Sequence, residues 1–148
     1  MMKSDDQMND PVAVAESKVT ILFVDDNPEE FIIMQWLCNG SEDIRANLVC
    51  VTDIEKACEA LEVQNIDMIL LDNKLHLNDD FRTSVPVLRS KNFTGPIGIV
   101  SSSIEPEYFQ EFEQYGADFR IRKNELDRNS LGFILDEFAS NKSKSIDE

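Results

Sequence analysis

A doubly wound α/β domain, with a parallel sheet between two helical layers, is the fold class this sequence predicts. Three observations carry it. Short apolar runs bounded by polar residues recur five times between residues 19 and 121, and such runs read as buried strands. A helix-like segment follows each of them, giving five βα pairs in alternation. Two of the runs, VTILFVDD and MILLD, end in carboxylates, and ligands of open α/β sheets gather at the carboxyl ends of strands.

The first strand is expected at 19–24 and the first helix at 28–38. Pro28 suits a first helical turn, where its missing N–H costs nothing. Phe31, Ile32, Ile33, Met34, Trp36 and Leu37 crowd nearly the whole circumference of this helix. One apolar stripe would bury it, so at least one or two of Phe31, Ile32 and Trp36 are expected to face outward. The later strands are placed at 47–51, 68–71, 97–100 and 119–121. The later helices are placed at 54–63, 81–91, 106–115 and 126–140. Gly116 stops the fourth helix, and Gly132 weakens the fifth without breaking it. Residues 1–17 and 141–148 are polar and read as mobile tails around one domain at 18–140. No internal repeat is visible.

A length of 148 residues suits one domain with a substantial core. With 29 acidic against 14 basic residues, the net charge is −15. Such a surface repels phosphate backbones and anionic bilayers, so neither nucleic acid nor membrane is expected as a partner. For most of these residues the expected role is solubility. Cys38, Cys50 and Cys58 make an odd count without CxxC spacing, which argues against a disulfide framework or zinc site. Reduced thiols packed as small hydrophobes fit the cytosol. No window reaches the roughly 18 apolar residues of a membrane span, and the N-terminus lacks a signal peptide's apolar core. A cytoplasmic location is therefore expected.

If the first and third strands are neighbours, Asp25, Asp26 and Asp72 meet at one sheet edge. Three carboxylates that close stay ionised together only beside positive charge. A hard cation such as Mg²⁺ suits oxygen ligands. Ser101 follows PIGIV, Lys123 follows FRIR, and the 73–80 loop follows Asp72, so all three reach the same edge. A hydroxyl, an ammonium and an acid cluster suit an anion held against a metal, with an Asp as nucleophile towards phosphorus. Plainer roles stay open. Asp residues at strand ends also cap helices or form turns. Ser101, Ser102 or Ser103 can cap the next helix, and Lys123 can be an ordinary surface lysine. His76, the one histidine, is read as an exposed loop residue without a role.

The segments ILFVDDNP, DMILLD, PIGIVSSS and GADFRIRK occur in this order at the strand ends. With them the chain resembles the receiver domain of two-component response regulators across roughly 18–140. The resemblance implies a flavodoxin-like (βα)5 fold with strand order 2-1-3-4-5. It implies that Asp72 is the phosphoacceptor and that Asp25, Asp26, Asp72 and the backbone carbonyl of Lys74 bind Mg²⁺ or Mn²⁺. Ser101 is then the hydroxyl that bonds a phosphoryl oxygen, and Lys123 the ammonium that pairs with the phosphoryl group. The implied donor is a histidine kinase or a histidine phosphotransfer protein. Donors of this kind meet helix 1, which nominates Phe31, Ile32 and Trp36 as docking residues. Because the chain ends about where its last helix does, the expected protein is a single-domain regulator. It would signal to an unknown downstream protein as a monomer or weak dimer, and would be a phosphoacceptor rather than an enzyme.

Departures from the pattern accompany the matches. His76 and Asp80 stand where the family has Pro four and Gly eight residues after the acceptor, so the 73–80 loop is expected to take a different shape. Arg120 stands where a Tyr or Phe acts as the switch aromatic, and Asn124 replaces the proline after the lysine. Phe119 is one residue early, and in a strand that offset turns a side chain to the opposite face. Arg120 is then either a solvated strand residue or an anion-responsive switch. These departures raise the alternative of a degenerate receiver acting as a phosphorylation-independent adaptor. A further alternative is an Asp-nucleophile phosphohydrolase. Haloacid-dehalogenase-like phosphatases carry DxD after the first strand, which neither Asp25-Asp26-Asn27 nor Asp72-Asn73-Lys74 supplies, and no inserted cap region is visible.

Overall fold

A computed structural model of the chain describes residues 18–39, 44–75 and 79–139. The expected tails at 1–17 and 141–148, and His76, lie outside the described residues. Five strands form one parallel sheet: β1 (Val19–Val24), β2 (Ala46–Val51), β3 (Met68–Asp72), β4 (Ile97–Ser101) and β5 (Phe119–Arg122). Their spatial order is β2-β1-β3-β4-β5, the order implied by the resemblance. The connections are α1 (Pro28–Asn39), α2 (Ile54–Val63), α3 (Phe81–Ser90) and a fourth helix, α4 (Glu107–Tyr115); α5 (Arg128–Ile134) follows β5.

Alternation along the strands sorts the core into two layers. Ile21, Phe23, Met68 and Leu70 pack with Met34, Leu37 and Cys38 of α1 and Leu131 and Ile134 of α5. Leu22, Val24, Ile69, Leu71, Ile97 and Ile99 pack on the other face with residues of α2, α3 and α4. Both faces of the sheet are thus covered, which is why the strands read as continuous apolar runs rather than as an alternating pattern.

Aspartates cap three helices. Asp53 accepts from the Lys56 N–H at 2.8 Å and Asp80 from the Arg82 N–H at 2.9 Å. Asp127 and Ser130 form a capping box at 2.9 and 2.8 Å, which satisfies two amides of the first turn reciprocally. That box starts α5 at Arg128 rather than at 126, and the wider turns of Leu135–Ala139 end it. The fourth helix differs more, because it is wound in 3₁₀ turns with a break at Glu111. Phe109 is fully buried, with Phe112 and Tyr115 packed beside it. Their spacing of three residues aligns them along a helix with three residues per turn. Gly116 closes it with φ 104°, the left-handed conformation that glycine adopts freely.

Candidate functional site

Winding reverses between β1 and β3, which pair with Val24 beside Leu71. Asp25 and Asp72 are the next residues along each strand, so this register brings them together at the carboxyl edge. Carboxylate oxygens of Asp25, Asp26 and Asp72 all lie within 4.8 Å of one another. Asp25 is fully buried, Asp72 is 6 % exposed, and Asp26 is open to solvent. One Asp25 oxygen accepts the Asn27 N–H at 2.9 Å, and this local turn fixes its orientation.

Lys123 reaches the cluster from a short helical turn directly after β5. Its Nζ stands 3.3 Å from Asp25 Oδ2 and 3.3 Å from Asp72 Oδ1. Burial pulls its ammonium pKa down, but the charges of Asp72 and Asp25 outweigh burial and hold it above the ordinary lysine value. Asp72 responds in the opposite sense. Burial first, then the charge of Asp25, pushes its carboxyl up to about 6, against the opposing pull of Lys123. One ammonium is therefore shared between Asp25 and Asp72, with the Asp26 carboxylate beside them. At an effective dielectric constant of about 20, the buried Asp25 and Asp72 carboxylates repel by roughly 3 kcal/mol, and the exposed Asp26 adds a smaller, solvent-screened repulsion. The oxygen-only donor set with its excess negative charge fits a hard divalent cation.

Ser101 ends β4, one position beyond the Val100 partner of Asp72. Its buried hydroxyl donates to the Ser103 carbonyl at 2.9 Å and accepts the Ser103 N–H at 3.4 Å. It is therefore engaged with its own loop. Lys74 lies two residues past Asp72 with an exposed side chain. Asp80 has φ −146°, an extended backbone that needs no glycine, and its cap accounts for the changed residue in the loop.

Phe119 and Arg120 point to opposite faces, as their offset requires. The Phe119 ring stacks on Phe138 at 4.6 Å between centroids. Arg120 is half-buried, with its guanidinium 4.7 Å from the Phe112 ring centroid on α4; it is not the solvated residue that one reading expected. On α1, Ile32 and Trp36 are 68 % and 64 % exposed, whereas Phe31 packs edge-on against Phe23 at 6.0 Å. The Arg128 guanidinium lies 3.9 Å over the Trp36 ring.

Sequence reasoning missed Asn73 and Tyr108. Asn73 Nδ2 donates to the Tyr108 hydroxyl at 3.2 Å, across 35 positions of sequence. No motif or periodicity announces that pair.

A family model for the response regulator receiver domain matches residues 21–132. No curated protein matches the chain significantly. Among solved structures, the Klebsiella pneumoniae RstA BeF3-activated N-terminal receiver domain is 27 % identical, with a TM-score of 0.66 over 80 % of this chain and 97 % of that one. The receiver domain of the Pseudomonas aeruginosa PAO1 sensor histidine kinase PA1611, solved with a magnesium ion coordinated in its active-site cleft, is 22 % identical. Its TM-score is 0.67 over 82 % of this chain and 98 % of that one. Chemotaxis protein CheY4 of Vibrio cholerae is 20 % identical, with a TM-score of 0.68 over 82 % of this chain and 99 % of that one. Among the described residues no helix is long and apolar enough to cross a membrane. With a parallel sheet in the order 2-1-3-4-5, an acid cluster at its switch point and a lysine bridging two of the acids, the chain belongs to the receiver domain family of two-component response regulators.

Proposed function

We propose that Asp72 accepts a phosphoryl group from a histidine kinase or histidine phosphotransfer protein, and that the phosphorylated protein signals by contact with a downstream partner. The observation that carries this reading is the bridge of Lys123 between Asp25 and Asp72, 3.3 Å from each. A carboxylate oxygen of Asp72 attacks phosphorus, the P–N bond to the donor imidazole breaks, and the imidazole keeps the electron pair and takes a proton. Lys123 then pairs with the new phosphoryl oxygens, and the Ser101 hydroxyl leaves the Ser103 carbonyl to donate to one of them. Asp25, Asp26, Asp72 and the Lys74 carbonyl would hold Mg²⁺ or Mn²⁺. When bound, that ion supplies charge neutralisation for the incoming phosphoryl group. The magnesium in the Pseudomonas receiver supports the choice of metal.

Incubation with acetyl phosphate and Mg²⁺ is expected to add one phosphoryl mass to the intact protein, and chelation of the metal to prevent it. A folded wild-type protein that gains no mass would count against this reading. It would favour a phosphorylation-independent adaptor, to which Arg120 over Phe112, at the position of the switch aromatic, lends support.

The donor is assigned to the exposed face of α1, where Ile32, Ile33 and Trp36 form an apolar surface. This helix starts at Pro28, two residues past Asp26. Arg128 holds the Trp36 ring, and an ordered, exposed aromatic is a favourable anchor. Changing Ile32 and Trp36 together to Ser is expected to slow transfer from a phosphorylated histidine phosphotransfer protein at least about tenfold. Phosphorylation by acetyl phosphate, which needs no docking surface, is expected to keep its rate. Unslowed transfer in the folded double variant would remove α1 from the docking role.

A further inference from the structure

Asn73, the residue after Asp72, is 2 % exposed and is bound to three other elements. Its backbone N–H donates to the Val100 carbonyl of β4 at 2.9 Å. Its Oδ1 accepts the Phe81 N–H at the start of α3 at 3.0 Å. Its Nδ2 reaches the Tyr108 hydroxyl on α4 at 3.2 Å. A buried amide used at both ends does not move alone, because leaving either partner strands polar groups away from water. Any shift of the acceptor residue that turns Asn73 therefore pulls on α3 or on α4.

The receiving end is firmly built. The Tyr108 ring lies 5.7 Å from Phe81 and 5.0 Å from Phe109. The Arg82 guanidinium sits 4.2 Å over its centroid, and Asp80 grips that guanidinium at 3.0 and 2.7 Å. Asp80 thus fixes both the start of α3 and the cation that covers Tyr108. The helix itself resists movement less, since 3₁₀ winding has poorer hydrogen-bond geometry and is used in short pieces. Its break at Glu111 separates Tyr108 from Phe112, the ring under Arg120. One half of α4 is tied to the acceptor loop and the other to β5.

We propose that the Asn73–Tyr108 hydrogen bond carries the phosphorylation state of Asp72 to α4. Tyr108 would then be the residue through which the pocket is read, a task that Arg120 on β5 leaves open. The inference rests on Asp72 being the acceptor. Asn73 is a positioning residue, and Tyr108 is its anchor.

Tyr108→Phe keeps the ring and removes only the hydroxyl. Wild type and variant are phosphorylated with acetyl phosphate and Mg²⁺, the phosphoryl adduct is quantified by intact mass, and amide hydrogen exchange over residues 107–115 is measured before and after. Both proteins are expected to carry the adduct in full. Exchange in 107–115 is expected to change on phosphorylation in the wild type, and Tyr108→Phe to lose most of that change. Asn73→Ala cuts the link from its other end and is expected to lose the same response. A full adduct with no response of 107–115 in the wild type, or an undiminished response in Tyr108→Phe, overturns the coupling alone. Absence of the adduct from the wild type overturns the acceptor reading and the coupling with it.

Discussion

Replacing Asp72 with Asn is expected to abolish the phosphoryl adduct and, in metal-free buffer at pH 7.5, to make the protein more stable. The first effect follows from losing the attacking carboxylate, because an amide oxygen is no substitute nucleophile. The second follows from the pocket's electrostatics. Asp72 titrates near 6 in the fold against an ordinary 3.8, so the folded state binds its proton more tightly than the unfolded chain does. A raised carboxyl pKa stabilises the fold, relative to its charged form, below about 3.8. That contribution is lost as pH rises through about 6. The gap of about two pH units, at about 1.4 kcal/mol each, sets a ceiling of roughly 3 kcal/mol on the charge's cost at neutral pH. Asn removes the charge and keeps the shape, so a gain of about 1–3 kcal/mol is expected. For a chain of this size that is a rise in Tm of several degrees. The gain should vanish in unfolding experiments near pH 4, where the wild-type carboxyl is protonated in the fold. Saturating Mg²⁺ should narrow it, since binding to the native state alone stabilises the wild type by about 2.7 kcal/mol at a hundredfold excess over Kd. A variant no more stable than wild type at pH 7.5 without metal would mean that the cluster does not repel as its geometry requires.

The acid cluster was legible in the sequence for a topological reason. A parallel sheet puts every strand's carboxyl end on one edge, so apolar runs that stop at Asp25 and Asp72 already locate a shared site, and Lys123 joins it by the same rule. Period-two alternation also separated Phe119 from Arg120 correctly, since the two occupy opposite faces. What the alternation does not encode is destination: nothing in FRIR says that a guanidinium would settle over Phe112. Crowding on α1 required an outward apolar residue without choosing one. The choice fell on Ile32 and Trp36 because Phe31 finds Phe23 beneath it. The Asn73–Tyr108 contact lay furthest out of reach. It depends on how α3 and α4 pack together, and a single polar pair leaves no periodic trace in the chain.

Replacing Lys123 with Met tests the pocket from its positive side. The ammonium stands 3.3 Å from both Asp25 and Asp72, and its charge opposes the burial that raises the Asp72 carboxyl. Without it that carboxyl is pushed further up, so before metal binds a larger share of the attacking oxygen is protonated at a given pH. The phosphoryl group would also arrive without its cationic partner. Loss of one such electrostatic contact in a water-poor site costs on the order of a hundredfold in rate. Phosphorylation by acetyl phosphate, followed by intact mass at fixed Mg²⁺, should slow by about that factor at pH 7. Part of the loss should return as pH rises and the carboxyl ionises without the ammonium, whereas the wild-type rate should stay comparatively flat. Lys123→Arg separates charge from shape. It restores a cation and hence the flat profile, but a planar guanidinium replaces a compact ammonium, so the rate should recover only in part. Wild-type rates and a wild-type pH profile in folded Lys123→Met would show that Asp72 keeps its charge without Lys123. The cation that balances the three acids would then have to be the divalent metal alone.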